Sequence, residues 1–352
     1  MQILDRDFHE SRGARFLTRY GRPRLAGYGS FEEEYAALET GAVLLDLSDH
    51  AKIFVSGEDR RTFLNGLVTQ KILNLQEGEG CPACFLDRHS HILAEVRILA
   101  FQEGFLLEGE PGLEGPLCER LRKFRLSSRV EVEGRGQALA LLSLQGPAAG
   151  EMARAVLGTS GADLAPYGHG TADFEGTPVR LAKIPRTGRP GLDLLIAPEA
   201  AASLWRALCA EGATPAGWDL LETARTEAGL PRFGADLTEE ILFPEACLPG
   251  HLSWDKGCYV GQEVVARVRT YGNLRRLRTG LLVDGPADAG DTVRLQGKEV
   301  ARLTSARFSP LLGRSCAFAY LPPALASDEE TEISVEGPEG TVKARPAPYP
   351  FL

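Results

Sequence analysis

The stretch Asp255-Lys256-Gly257-Cys258-Tyr259-Val260-Gly261-Gln262-Glu263, running on to Arg267, gathers a thiol, several charges and an amide at one turn-to-helix junction. The thiolate is the nucleophilic and metal-binding form of cysteine, and a helix N-terminus or a neighbouring lysine favours it. Cys258 is thus the candidate reactive thiol and Lys256 its candidate activator, with Gln262 and Glu263 as polar partners in the first helical turn. Gly257 and Gly261 supply backbone freedom around it. The other cysteines, Cys81, Cys84, Cys118, Cys209, Cys247 and Cys316, bring the total to seven. An odd number without framework spacing fits free thiols in a reducing compartment. Cys81-Pro82-Ala83-Cys84 has the spacing of a redox or metal pair, but no second pair accompanies it, and it reads as small residues entering a strand. No metal site is expected.

A second candidate group lies upstream. Leu221, Ala224 and Ala228 form an apolar stripe on a predicted helix from Trp218 to Ala228, and Glu222 and Arg225 lie one turn apart on another face. Gly229 and Pro231 end this helix, which leaves Arg225 and Glu227 near its end, facing the loop Arg232 to Leu242.

The chain has 352 residues, 43% of them hydrophobic and 25% charged, with a formal net charge of -9. That length calls for two or three cores, and the acidic balance argues against general affinity for nucleic acid or anionic membranes. Met1 to Arg6 lacks a leader pattern and no apolar run approaches the roughly 20 residues of a membrane span, so a cytoplasmic protein is expected. Helices are predicted over Phe31 to Glu39, Gly57 to Lys71, Leu117 to Leu126 and Ala148 to Leu157, and one opens at Pro198 and runs to Gly212. Strands are predicted at Val43 to Val55, Ile92 to Phe101, Ala138 to Leu144, Val179 to Ile184 and Asp193 to Ile196. The order strand, glycine, helix occurs twice, which implies two subdomains of similar α+β build. Beyond Arg267, short strands punctuated by glycine and proline indicate a small antiparallel barrel or sandwich. Arg275, Arg276 and Arg278 read as a rim of solvated or ligand-facing charge.

The segment Ala224-Arg225-Thr226-Glu227-Ala228-Gly229-Leu230-Pro231, followed by Gly234, Asp236, Pro244-Glu245 and Lys256-Gly257, resembles the glycine-cleavage T-protein, a tetrahydrofolate-dependent aminomethyltransferase. The string Lys-Gly-Cys-Tyr-Val-Gly-Gln-Glu looks like the signature of the related YgfZ-type folate-binding proteins, which are tied to iron-sulfur cluster maturation. The resemblance implies a three-domain α+β arrangement, with an N-terminal folate-binding subdomain over residues 1–135. A second subdomain then covers 136–270 and ends in the cysteine motif, and a C-terminal antiparallel β-barrel covers 271–352. It also implies tetrahydrofolate or a one-carbon derivative as cofactor. By position, Arg225 matches a folate-contacting arginine, and Asp193 falls where the T-protein grips the pterin with a glutamate; Glu95, Arg186, Glu227 and Gln262 join them as cofactor-binding candidates. A carboxylate suits that role through paired hydrogen bonds to an amidine-like edge. Two departures stand out. The aspartate pair of the T-protein reads Ala94-Glu95 here, and its loop tyrosine is replaced by Arg186 before Thr187-Gly188.

These departures separate folate recognition from aminomethyl transfer. The leading expectation is accordingly a tetrahydrofolate-binding protein that assists assembly or repair of iron-sulfur clusters in client enzymes, with Cys258 as its functional thiol and client or carrier proteins as partners. The alternative is a folate-dependent aminomethyltransferase or demethylase, with Glu95 in place of the aspartate. A further alternative is a tRNA-modification accessory factor using the basic helix Arg120 to Arg125 and the arginines near Arg276.

Overall fold

The computed structural model describes residue 4 and residues 6–19, 22–272 and 274–352. Met1 to Ile3 and Asp5, part of the stretch read for a leader, lie outside the described residues. The chain divides into two compact units. The first runs to Gly66 and resumes over Gln70–Ala83 and Val96–Leu221; the second takes Leu67–Thr69, Cys84–Glu95 and Glu222–Leu352.

The first unit opens with the short helix α1 (Arg6–Glu10) and a hairpin of β1 (Arg15–Arg19) and β2 (Arg22–Gly27). Helix α2 (Phe31–Thr40) begins at a reciprocal cap, in which the Ser30 side chain accepts from the Glu33 amide and Glu33 accepts from the Ser30 amide. Strands β3 (Val43–Asp46) and β4 (Ala51–Ser56) follow, then α3 (Arg60–Asn65). The helix predicted over Gly57 to Lys71 is thus six residues long. Gly66 closes it, and the Asn65 side chain then accepts the Ile72 amide at 3.1 Å, bending the chain back where helix would otherwise continue.

Next come β5 (Gly80–Leu86), β6 (Ile92–Ala100), β7 (Gly104–Gly109), α4 (Glu114–Phe124) and β8 (Glu131–Gly134). They join β4 in a five-stranded sheet of order β5-β6-β7-β4-β8, whose Cys84–Glu95 hairpin belongs to the second unit. Cys81 and Cys84 both lie buried in β5.

Strand β9 (Ala140–Gln145), helix α5 (Ala149–Leu157), strands β10 (His169–Phe174), β11 (Thr177–Lys183) and β12 (Gly191–Ile196), helix α6 (Pro198–Ala210) and the short β13 (Thr214–Pro215) complete the first unit with the start of α7 (Trp218–Glu227). A six-stranded sheet of order β10-β11-β12-β9-β3-β13 results. Leu142, Leu144, Leu192 and Leu194 pack from its strands against Ala153 and Leu157 of α5 and Leu204, Trp205 and Leu208 of α6. Strands β9 and β12 are buried along their whole length, which is why they read as nearly unbroken apolar runs; the polar exceptions are the interesting residues.

The second unit carries the end of α7, a 3-10 turn at Phe243–Ala246, helix α8 (Gln262–Tyr271) and six strands, β14 (Leu277–Val283), β15 (Thr292–Leu295), β16 (Lys298–Ser309), β17 (Arg314–Leu321), β18 (Ile333–Gly337) and β19 (Gly340–Ala347). These strands close a barrel of order β14-β17-β16-β15-β18-β19, every pairing antiparallel. Leu281, Val293, Leu303, Ala317 and Val335 fill it. The α+β class and the C-terminal antiparallel barrel expected from the sequence are present. Among the described residues no helix is long and apolar enough to cross a membrane.

Candidate functional site

In the first unit the polar exceptions in β9 and β12 meet the loop between β11 and β12. Antiparallel pairing sets Asp193 opposite Ser143, whose hydroxyl donates to Asp193 Oδ1 at 2.7 Å. Arg186 Nε donates to both Asp193 oxygens at 2.9 Å, and Nη2 reaches Oδ2 at 2.5 Å. Gln145 fixes the loop by donating to Ile184 O at 2.9 Å and accepting the Arg186 amide at 3.0 Å. The same Nη2 also lies 3.1 Å from Glu108, which in turn pairs with Arg97 at 2.9 Å and His50 at 2.6 Å. Burial by itself would raise the Glu108 pKa, but the Arg186 and Arg97 guanidiniums and the His50 hydrogen bond outweigh it and hold the carboxyl well below its usual range. Burial likewise works against charge on Arg186, and Asp193 and Glu108 more than offset it.

Both Asp193 and Arg186 were expected to face a cofactor; instead they face each other in the interior. The Asp193 oxygens already accept four hydrogen bonds. A carboxylate has about four lone-pair positions, so as folded Asp193 does not fit a pterin's amidine edge. Glu108, His50 and Arg97 escaped the sequence reading because each alone resembles an ordinary strand residue.

In the second unit, Arg225 forms a paired bond to its helix neighbour Glu222, Nε to Oε1 and Nη2 to Oε2, both at 2.7 Å. Nη1 donates to Asp236 Oδ2 at 2.8 Å and Leu230 O at 3.1 Å, and Nη2 to Ser305 Oγ at 2.8 Å. A guanidinium has five N–H donors, and those five acceptors employ them all. Arg225 therefore ties α7 to the following loop and to barrel strand β16. Glu222 also accepts from Arg232 at 3.0 Å. Burial raises its pKa, yet Arg225 and then Arg232 prevail and bring it down to about 2. Glu227 is fully buried at the end of the same helix, and its carbonyl accepts the Phe351 amide at 2.8 Å.

The cysteine motif is a loop that ends where α8 begins at Gln262, the helix start read from the sequence, with Cys258 in the loop before it. A dipole acts mainly over the first turn, and Cys258 lies outside it. The Lys256 ammonium is buried and donates to Val68 O at 2.5 Å, with the Tyr259 ring 4.9 Å away. It pins the loop. Gln262 turns back to accept the Tyr259 amide at 3.4 Å. Gly261 has φ +87, and a Cβ there would come within 2.7 Å of Asp87 O, so glycine is required on both counts. Gly257 has open space around it and no such φ, contrary to the freedom assigned to it. Cys258 is exposed; the other six cysteines are buried or half-buried. Beside the loop, Ser253, Trp254, Gln262 and Arg269 line a groove of about 500 Å³, with the Arg269 guanidinium 4.2 Å over the Trp254 indole.

Glu95 lies near the start of β6, 6% exposed, and its Oε1 is 3.3 Å from His251 Nε2. The other ring nitrogen, Nδ1, faces Pro249 O at 3.4 Å. A carbonyl can only accept, so a hydrogen bond to Pro249 O uses a hydrogen on Nδ1 and turns Nε2 towards the carboxylate. His251, seven residues before Cys258, was not singled out from the sequence; its nearness to the motif was the available signal. The arginines read as a charged rim are instead structural in part. Arg278 is buried, donating to Ala246 O at 2.9 Å and Gly229 O at 3.2 Å, and Arg276 pairs with Glu245 at 3.1 Å.

Comparison with known proteins agrees along the whole chain. Residues 6–256 match the GCVT N-terminal domain and residues 275–352 the glycine cleavage T-protein C-terminal barrel domain. An aminomethyltransferase of Rubrobacter xylanophilus is 30% identical over 347 residues, 97% of this chain and 92% of that one. One of Streptomyces coelicolor is 28% identical over 338 residues, 93% of this chain and 91% of that one. A chloroplastic protein of Arabidopsis thaliana, provisionally named a transferase, is 33% identical over 279 residues; the match takes in 78% of this chain and spans 64% of that protein's length. Among solved structures, the glycine cleavage system aminomethyltransferase T of Bartonella henselae has the same fold, with a TM-score of 0.90 at 22% identity over 98% of this chain and 96% of that one. With both domains matched and a full-length relative at that identity, the chain belongs to the glycine cleavage T-protein family.

Proposed function

We propose that this protein is a tetrahydrofolate-dependent one-carbon transferase of the aminomethyltransferase type, with Glu95 and His251 as its proton-handling pair. The observation that carries the reading is the 3.3 Å contact between the buried Glu95 carboxylate and His251 Nε2. Full-length similarity to aminomethyltransferases supports the reaction class. Tetrahydrofolate would supply the reduced nitrogen that carries the one-carbon unit. The chain's own part is to hold a proton at Glu95 Oε1 or His251 Nε2, where general acid-base catalysis needs a group within hydrogen-bond reach. The Glu95 and His251 pair fits that task. Asp193 does not fit pterin recognition while Arg186 occupies it, and no recognition step is assigned to it. Arg186, Arg225, Glu227, Lys256 and Gln262 act in this reading by holding the folded frame.

Calorimetric titration with tetrahydrofolate tests the proposal. Saturable binding to wild type, retained in Glu95→Gln while turnover is lost, is the expected result. Absence of any binding to wild type sinks the folate reading.

The exposure of Cys258 favours a second reading: the YgfZ-type role, in which the thiol assists iron-sulfur cluster assembly or repair in client proteins. One thiolate does not hold a cluster, which takes about four, so the client or carrier would complete the ligand set. Complementation of a deletion strain by Cys258→Ala decides it. Full rescue of client-enzyme activity removes the thiol role, and failed rescue with normal protein levels supports it.

A further inference from the structure

The first unit holds a cavity of about 170 Å³ that neither the Glu95 pair nor the cysteine loop touches. Its apolar wall includes Phe54 of β4, Leu106 of β7, Leu195 of β12 and Phe101 at the end of β6. The Phe54 and Phe101 rings meet edge to face with centroids 6.0 Å apart. Gly104 is what lets Phe54 lie there, since a Cβ at that position would come within 2.6 Å of its Cζ.

Two arginines complete the lining. Arg135 stands 4.3 Å over the Phe54 ring and has a carboxylate partner in Glu133 at 3.0 Å. Arg180 stands 4.5 Å over the Phe101 ring, half-buried, and makes no hydrogen bond or ion pair with a described residue. A guanidinium is seldom taken out of water without an anionic partner. Its acidic neighbours Glu77 and Glu103 act on it only at longer range, and burial pulls its pKa down. Apolar walls, two rings and an unpaired cation specify a ligand with a flat apolar body and one negative group. The size sets the rest: a cavity of about 150 Å³ takes one benzene ring.

We propose that this cavity binds a small aromatic monocarboxylate, its ring against Phe54 and Phe101 and its carboxylate on the Arg180 guanidinium. A paired Arg–carboxylate contact is directional and about twice as strong as a neutral hydrogen bond, so charge and shape both select the ligand. Recognition here is independent of folate chemistry.

Titration of the full chain with phenylacetate and with its uncharged counterpart phenylacetamide tests the proposal. Phenylacetate should bind about tenfold or more tightly than the amide, a difference of one charge-assisted contact. Arg180→Gln should remove that preference, and Glu103→Gln, on the exposed turn at the cavity rim, should strengthen phenylacetate binding two- to threefold or so by removing a like charge. The second variant keeps the test decisive should Arg180→Gln fold poorly. Equal affinity for acid and amide, no saturable binding by wild type at millimolar phenylacetate, or weaker binding in Glu103→Gln each overturns the proposal.

Discussion

Arg186 and Asp193 stand on the two arms of one loop and close on each other in the interior, Nε and Nη2 of the guanidinium against both oxygens of the carboxylate at 2.5 to 2.9 Å. Position had assigned each of them to a ligand. Their pairing makes them the centre of a buried charge network with Glu108, Arg97 and His50.

Removing one member of such a network leaves a buried charge without its partner. Arg186→Met should therefore lower unfolding free energy in urea by about 3 to 5 kcal/mol. The double variant Arg186→Met with Asp193→Leu should lose less than the two single variants added together, because the contact couples them. Strict additivity would show that the two side chains do not interact in solution.

The Glu222 network predicts an acid limb. Its folded pKa of about 2 lies below the ordinary value of 4.5, so its stabilisation is fully present above 4.5 and is lost as pH falls from 4.5 towards 2. The shift corresponds to about 3 kcal/mol. Urea unfolding across that window should be steeper in wild type than in Glu222→Gln. Parallel profiles would contradict the assignment.

His169 predicts a separate limb at milder pH. Burial, then the Arg180 charge, lowers its pKa from 6.5 to about 4. The folded state holds it neutral, so its contribution is present above 6.5 and drains away as pH falls to 4. Allowing for solvent screening, this is about 1 to 2 kcal/mol. His169→Gln should flatten stability between pH 6.5 and 4, and an unchanged slope there would exclude the residue as its source.

Thiol exposure gives a direct chemical readout. Cys258 is the exposed cysteine, whereas Cys84 is fully buried, and burial with the nearby Glu95 charge raises its pKa well above the ordinary range. Maleimide labelling of the folded chain should show one fast site, absent in Cys258→Ser. A fast phase that survives the substitution would place the accessible thiol elsewhere.

Much of this fold is legible in the sequence because its signals are local. The periodic stretch Phe31 to Glu39 announces α2, Pro198 opens α6, and glycine and proline turns mark the barrel strands. The hairpin β1–β2 and strand β10 were missed for a physical reason: β10 buries only His169 and Phe174 of its six residues, so it carries no alternating apolar pattern. At the site, the bond from Arg225 to Glu222 lies within one helical turn and was visible, but Ser305 is 80 residues away and Val68 is 188 residues from Lys256. Contacts of that range arise from tertiary packing alone. They tie Arg225 and Lys256 into the framework, and they bring His251 to Glu95.

One-carbon transfer that depends on the Glu95 and His251 pair is read most plainly from its product. Purified protein, saturating tetrahydrofolate and a panel of aminomethyl donors should yield methylenetetrahydrofolate with release of ammonia, at a rate reduced roughly 10²- to 10⁴-fold by Glu95→Gln. No product from wild type under saturating folate, or full activity in Glu95→Gln, would rule out a proton-handling role for the pair.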